Sequence, residues 1–540
     1  MEKETKMKIK IKTPEEALSK FSEWFDSKKK LAFLVALIAG LITHITMITE
    51  TIMSQDGLWN SIDYFRPGDW EATLGRWGIA LVERLNNFIA IPSISTVSCI
   101  LLMAISAVIL VDLFDLKTNI SVIFTSLILV VTPTLTVTLL YIYTSVAYCA
   151  NLLISILVVW FIYKFKHKKL GIILSTICFM LSLSIYQSYI GVSIGLCAMM
   201  TILDLIRNKK KLKEIFFNIL KTVIAVLIGG ILYYILTMII LNVSNLQISS
   251  YKGAETVSIT SSILSLKTTC IQTYKDFFEF FLGDSIVYNT NFRREICNAV
   301  FLIIFGVFSI ASALGIKEED KKQKILKVAL VIVITLLLPV CLNIIDILIV
   351  GNIMYELTTT QMILIVPLAF ALLENIDKLV ILKWIMIFSY AISIVTYYLS
   401  DNTSYAALKL TYNQAYSTTI RIMDRIETTN GYDKNYPILF GGIIGDYNYP
   451  RTSSLYRYIA SPLLRNPTFH GSYAGSIGTW IKFIRVFCGI DVNACTSEAY
   501  YKIVNSEEYK QMKIFPDETS IKIIDGIIVV KLTEKPDLPF

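Results

Sequence analysis

Apolar runs long enough to cross a bilayer alternate along this chain with short polar connections. About eleven can be drawn, at 31–49, 91–113, 120–141, 145–163, 170–187, 189–206, 217–242, 296–315, 326–349, 360–374 and 380–399, most of them near the ~20 residues a helix needs to span hydrocarbon. This pattern predicts a polytopic α-helical membrane protein. Ahead of the first run, residues 1–30 are polar and Lys-rich, and Pro14 to Phe25 is weakly amphipathic, as in a helix lying on the inner membrane surface. Residues 31–399 form the multi-span region. From 400 to 540 polar residues, Pro and Gly become common, and this part reads as a C-terminal extracytoplasmic mixed α/β domain. In it, Ala406 to Glu427 and Ile477 to Cys488 have helical spacing, and Pro437 to Gly442 has the pattern of a buried strand ending in a turn. Asp525-Gly526 between β-branched runs predicts a tight hairpin over Ile521 to Leu532.

Composition agrees: of 540 residues, 54% are hydrophobic and only 17% charged, which excludes an ordinary soluble protein. Basic residues cluster at alternate connections, in Lys3 to Lys30, Lys164 to Lys169, Arg207 to Lys213 and Lys317 to Lys327. The positive-inside rule makes these cytoplasmic. The 50–90 loop, the longer 243–295 loop and the C-terminal domain then lie outside, and the expected location is the cell membrane with the N-terminus in the cytoplasm. The net charge of +8 is explained by cationic anchors beside anionic lipid and implies no nucleic-acid partner. The first run follows a long charged tail and lacks a small-residue cleavage site, so it reads as a retained helix. Six of the nine cysteines fall in or beside apolar runs; Cys270 sits in the 243–295 loop, and Cys488 and Cys495 either pair or stay as thiols.

Candidate chemistry concentrates just after the first run. Ser54-Gln55-Asp56-Gly57-Leu58-Trp59-Asn60 leads on to Arg66-Pro67-Gly68-Asp69-Trp70 and Leu74-Gly75-Arg76-Trp77-Gly78. Charge this close to a bilayer persists mainly where it lines a cavity and acts on something. Asp56 stands first at the mouth and is the candidate base, with Asp63, Asp69 and Glu71 as rivals. Arg66, Arg76 and Arg84 suit phosphate oxygens, while Trp59, Trp70 and Trp77 offer aromatic faces at headgroup level. Tyr186 and Gln187, at the turn between the fifth and sixth runs, reach the same level and can bond sugar hydroxyls. His44 reads as a helix-packing residue and Glu50 as an auxiliary acid. The 243–295 loop, with Lys275, Asp276, Arg293 and Arg294, is long enough to cover the site; His470 and Tyr447 to Arg457 are candidates for contact with an acceptor. Gly441, Gly442 and Gly445 lack the spacing of a phosphate loop, and no zinc spacing or nucleophile elbow occurs.

The segment from Asp56 to Trp77, with Asp-Gly just after the first run and Leu-Gly-Arg-Trp further on, resembles the bacterial membrane glucosyltransferases that include O-antigen serotype-converting enzymes. That family is similar to the wider GT-C class of lipid-linked glycosyltransferases. The resemblance implies a GT-C-like fold, Asp56 as the essential acid of the first outer loop, and Gly75-Arg76-Trp77 as the second motif. It also implies a polyprenyl-phosphate hexose donor, a cell-surface glycan acceptor, and a lipid-sugar synthase and flippase elsewhere in the cell. The wider class often has two adjacent acids, whereas this chain has Gln55-Asp56, so a carboxylate pair requires Asp63 or Asp69 to fold back. The expected activity is transfer of a hexose, glucose by resemblance, from polyprenyl phosphate to a surface polysaccharide outside the cytoplasm; the alternative is a lipid-linked glycan flippase or transporter. No cofactor is expected, and the spacing of the acids does not establish a divalent metal.

Overall fold

The computed structural model describes residues 13–60, 64–249, 264–283, 292–349, 354, 356–442 and 479–534. The helices are α1 (Pro14–Trp24), α2 (Ser27–Thr43), α3 (Ile45–Thr49), α4 (Gln55–Asn60), α5 (Asp69–Thr73), α6 (Gly78–Glu83), α7 (Pro92–Phe114), α8 (Asn119–Val130), α9 (Pro133–Leu140), α10 (Ser145–Tyr163), α11 (Lys168–Ile185), α12 (Ile190–Arg207) and α13 (Leu212–Val243). There follow α14 (Leu266–Leu282), α15 (Phe292–Leu314), α16 (Lys321–Leu342), α17 (Ile344–Leu348), α18 (Ile365–Glu374) and α19 (Val380–Glu427).

Among the described residues, nine helices are long and apolar enough to cross a membrane, against about eleven expected. The difference has two physical sources. The first expected span breaks at His44, leaving α2 with 17 residues and α3 with 5. The run 360–374 divides into a 3-10 segment, Thr360–Leu364, and the ten residues of α18. Asn119–Leu140 counts as one span although Pro133 opens a new helix inside it, because proline has no N–H to give and clashes with the preceding turn.

That break exposes the carbonyl of Val130, one of the orphans at a helix end. His44 Nε2 donates to it at 2.8 Å, and the other ring nitrogen, Nδ1, lies 2.8 Å from the Tyr405 hydroxyl. A carbonyl only accepts, so the proton sits on Nε2 and Tyr405 is the donor to Nδ1. The histidine is therefore a packing residue joining α2, α8 and α19, as its position on the first run suggested.

Helix α2 packs on α7 and α8, α7 on α10, α10 on α11, and α11 on α13. The Asn119–Leu140 span is 83% buried and the Leu212–Val243 span only 17%, which puts α8–α9 at the centre and α13 at the periphery. On α13 the exposed residues are apolar, Leu227, Ile231 and Ile235 among them, as a lipid-facing surface requires. In the 243–295 connection, α14 is a packed amphipathic helix lying against α15, α16 and α17, so that part of the expected cover is fixed structure.

Helix α19 runs unbroken for 48 residues, through the point where composition changes near residue 400. At 1.5 Å per residue it is about 72 Å long, far more than a bilayer crossing needs. Asp401, at the end of the expected last span, is only 1% exposed and lies beside Thr136 of α9. Beyond α19 is a three-stranded sheet in the order β1 (Ile438–Gly441), β3 (Ile527–Lys531), β2 (Ile521–Ile524), with β1 parallel and β2 antiparallel to β3. The expected hairpin is present: Asp525 and Gly526 have φ of 51° and 73°, as a primed turn demands. Cys488 and Cys495 are free thiols, and burial pushes each up to about 11.

Candidate active site

Three connections that the charge pattern places at one end of the bundle meet around a cavity of about 790 Å³. They are the 50–90 loop, the turn Tyr141–Thr144 between α9 and α10, and the turn after α11 that begins at Tyr186. Leu357 closes part of the wall.

Asp56 lines this cavity from the first turn of α4. Six residues cannot hold a helix by themselves, since nucleation alone costs more than so few bonds return. Its placement comes from outside. Leu140, at the end of α9, has an orphan carbonyl that accepts from both Ser54 N, at 2.9 Å, and Ser54 Oγ, at 3.0 Å. The Ser54 hydroxyl oxygen in turn accepts from Gly57 N at 3.0 Å. Only glycine fits at 57, because a Cβ there would stand 2.7 Å from the Leu140 carbonyl oxygen. The Asp-Gly pair is thus explained by a close approach of two backbones.

Arg76 lines the same cavity, its guanidinium 4.6 Å from the ring centre of Tyr186, which stacks in turn on Tyr148 at 4.9 Å. The turn that delivers it needs Gly75, at φ 69°, and leaves no room for a side chain: a Cβ would lie 2.3 Å from the Tyr233 hydroxyl. Gln187 fixes the same turn by donating to Leu74 O at 2.9 Å and to Tyr233 Oη at 2.8 Å. Trp77 Nε1 donates to Thr237 Oγ1 at 3.1 Å. Gln187 and Trp77 therefore anchor the loop to α13 and do not line the cavity. Arg66 is exposed, 6.0 Å from the ring centre of Phe88, and is likewise away from the lining.

Trp59, Asp69, Trp70 and Glu71 do line it. The two tryptophans are 53% and 54% exposed, open enough to offer their faces to a ligand. Glu71 Oε2 accepts from Gly68 N at 2.8 Å, capping α5, and Glu71 O accepts from Arg76 N at 2.7 Å, which ties the acid to the arginine turn. Tyr143 lines the same cavity as Asp56 and Glu71. Burial, then Tyr148, Asp56 and Glu71, push its phenol well above the ordinary 10, with Arg76 acting against them. Asp63 lies outside the described residues, as do His470 and Tyr447 to Arg457. Glu50 is ion-paired with Lys409. Among the described residues no group of three or more His, Cys, Asp or Glu is placed to hold a metal ion.

Residues 47–366 match the family described as Glucosyl transferase GtrII. The chain belongs to that family. No curated protein and no solved structure matches it. The matched stretch contains every described residue that lines the cavity, from Asp56 to Leu357, and stops before α19 and the C-terminal sheet. Glucosyl transfer is thus the family's chemistry, and the residues that line the cavity are its candidate machinery. Tyr141, Tyr143 and Tyr148 were not singled out from sequence. The signal was available in parity: counting spans puts the 141–144 turn at the same end as Asp56, and two of its four residues, Tyr141 and Tyr143, are tyrosines.

Proposed function

We propose that this protein transfers a hexose, glucose by its family, from polyprenyl phosphate to a cell-surface polysaccharide on the extracytoplasmic face. The observation that carries the proposal is that a carboxylate and a guanidinium, Asp56 and Arg76, face one cavity at the end of helices long enough to cross a bilayer. A lipid-borne donor fits that position, since its headgroup lies at the depth of the cavity while its chain stays in the membrane. The distribution of Lys and Arg supports an N-terminus in the cytoplasm and a cavity facing outward.

In the proposed reaction Asp56 accepts the proton of the acceptor hydroxyl as its oxygen attacks the anomeric carbon. The bond from that carbon to the phosphate oxygen breaks, and the electron pair leaves with the polyprenyl phosphate. Arg76 stabilises the charge that develops on the phosphate, and its stacking on Tyr186 holds the guanidinium in position. Glu71 supplies the second carboxylate, the part expected of Asp63 or Asp69. Trp59 and Trp70 serve as platforms for sugar rings. Membrane lipid surrounds the spans, a lipid-sugar synthase and a flippase supply the donor, and the chemistry calls for no cofactor and no nucleic acid.

The test is transfer of labelled glucose from synthetic polyprenyl-phosphate glucose by purified protein beside Asp56→Asn. The proposal expects transfer by the native protein and loss of about 10²-fold or more in the variant. Movement of the intact lipid between leaflets without transfer would favour a flippase instead.

A further inference from the structure

The C-terminal domain lies outside the matched family region, yet α19 and the segment 479–488 touch the chain from Glu50 to Trp59, which includes the helix that carries Asp56. Of three contacts, two meet the residues just ahead of α4 and one meets α4 itself. Lys409 of α19 pairs with Glu50. Tyr412, one turn further along α19, donates its hydroxyl to Met53 O at 3.1 Å. Lys482, on the helical segment 479–488, donates to Trp59 O at 3.2 Å. The segment is itself fixed to α19: Trp480 Nε1 donates to Thr419 Oγ1 at 2.9 Å, and Phe483 and Phe487 pack on Tyr412, with ring centres 5.9 Å and 5.4 Å away. Trp480 also stacks on Phe440 of the sheet at 4.0 Å, linking the sheet to the segment.

We infer that Lys482 is a positioning residue for Asp56, through which the C-terminal domain sets the alignment of the base. The inference rests on the role proposed for Asp56. The Trp59 carbonyl belongs to the last turn of α4, where carbonyls have no partner inside the helix. An ammonium there satisfies the acceptor and complements the negative end of the helix. A six-residue helix has no stability of its own to fall back on. Ser54 and Leu140 fix its beginning beside Asp56, buried Leu58 seats its middle, and Lys482 holds its last turn at Trp59, so losing the ammonium loosens the short helix on which Asp56 stands. The C-terminal domain thereby becomes part of the reaction centre and more than an appendage displayed above it.

The experiment compares Lys482→Met and Lys482→Arg with native protein, using two readouts. With polyprenyl-phosphate glucose, Lys482→Met is expected to lower kcat about 10- to 100-fold, the range for a small misplacement of a reacting group, with KM for the lipid unchanged. Lys482→Arg, which keeps a cationic donor, is expected to recover most of that loss. The second readout is amide hydrogen exchange, which needs no activity. Amides of residues 57–60 exchange faster in Lys482→Met, while those of β2 and β3 stay as in the native protein. Unchanged exchange at 57–60, or normal kcat in Lys482→Met, overturns the inference. If the native protein shows no transfer, the proposed reaction fails, and the exchange measurement still decides whether Lys482 positions α4.

Discussion

Gly75→Ala tests how the arginine turn is built. Two costs are expected. An alanine at φ 69° occupies the left-handed region, at about 1–2 kcal/mol. Its Cβ would also stand 2.3 Å from Tyr233 Oη, an overlap that forces the tyrosine or the loop to move, at about 1–3 kcal/mol. The sum is about 2–5 kcal/mol. Tyr233→Phe removes the overlapping oxygen and forgoes one hydrogen bond from Gln187, at about 1 kcal/mol. In the double variant the overlap is absent, so only the backbone cost of alanine remains beside the lost bond. Unfolding in mixed detergent micelles gives all four corners of the cycle. The expected coupling is about 1–3 kcal/mol, with the double variant more stable than the two single effects predict. Additivity within about 0.5 kcal/mol would refute the steric argument and leave Arg76 held by something other than this close approach.

Further outcomes follow from the same geometry. Glu83, 2% exposed, is pushed from 4.5 to about 7 chiefly by burial, with Asn86 and the Ala147 amide only partly offsetting it. Below 4.5 both folded and unfolded forms hold the proton; between 4.5 and 7 only the unfolded chain gives it up, so stability falls with rising pH by up to about 3 kcal/mol. Glu83→Gln should flatten that slope in melting curves from pH 5 to pH 8, and an unchanged slope counts against it. Gly57→Ala should abolish transfer while the protein still inserts, since the Cβ meets the Leu140 carbonyl oxygen; normal transfer would show that α4 can shift freely. Among the described residues Asp401, with the Thr136 hydroxyl beside it, has no donor in good hydrogen-bond geometry to either carboxyl oxygen, and a buried charge so placed costs several kcal/mol. Asp401→Asn should therefore unfold within about 1 kcal/mol of native, and a large loss of stability would mean that the carboxylate is charged and paired. Cys488 and Cys495, raised to about 11, should react with iodoacetamide at pH 7.5 far more slowly than an ordinary free thiol, measurable by mass spectrometry.

Much of this was readable from residue order. Span-length apolar runs, the Asp525-Gly526 hairpin and the position of Asp56 at a helix mouth depend on local rules, and local rules are what a sequence displays. What escaped depends on partners far away in the chain. Gln187 looked like a sugar-binding amide because its level was right; its partners are Leu74, 113 residues earlier, and Tyr233, 46 residues later. Trp77 suited the membrane interface by type, yet its indole N–H is committed to Thr237. The last apolar run ends at 399 and composition changes there, but α19 continues without a break and carries Asp401 into the packing. Glu71 was one of several acids in the loop; the cap on Gly68 and the link to Arg76 hold it where it lines the same cavity as Asp56.

The decisive measurement is transfer of labelled glucose from polyprenyl-phosphate glucose to native surface glycan by purified protein, beside Asp56→Asn. Transfer by the native protein and none by the variant is the predicted result. Equal transfer by both would remove Asp56 from the chemistry, and no transfer by either, across a panel of lipid-linked hexoses, would contradict a lipid-dependent glycosyltransferase.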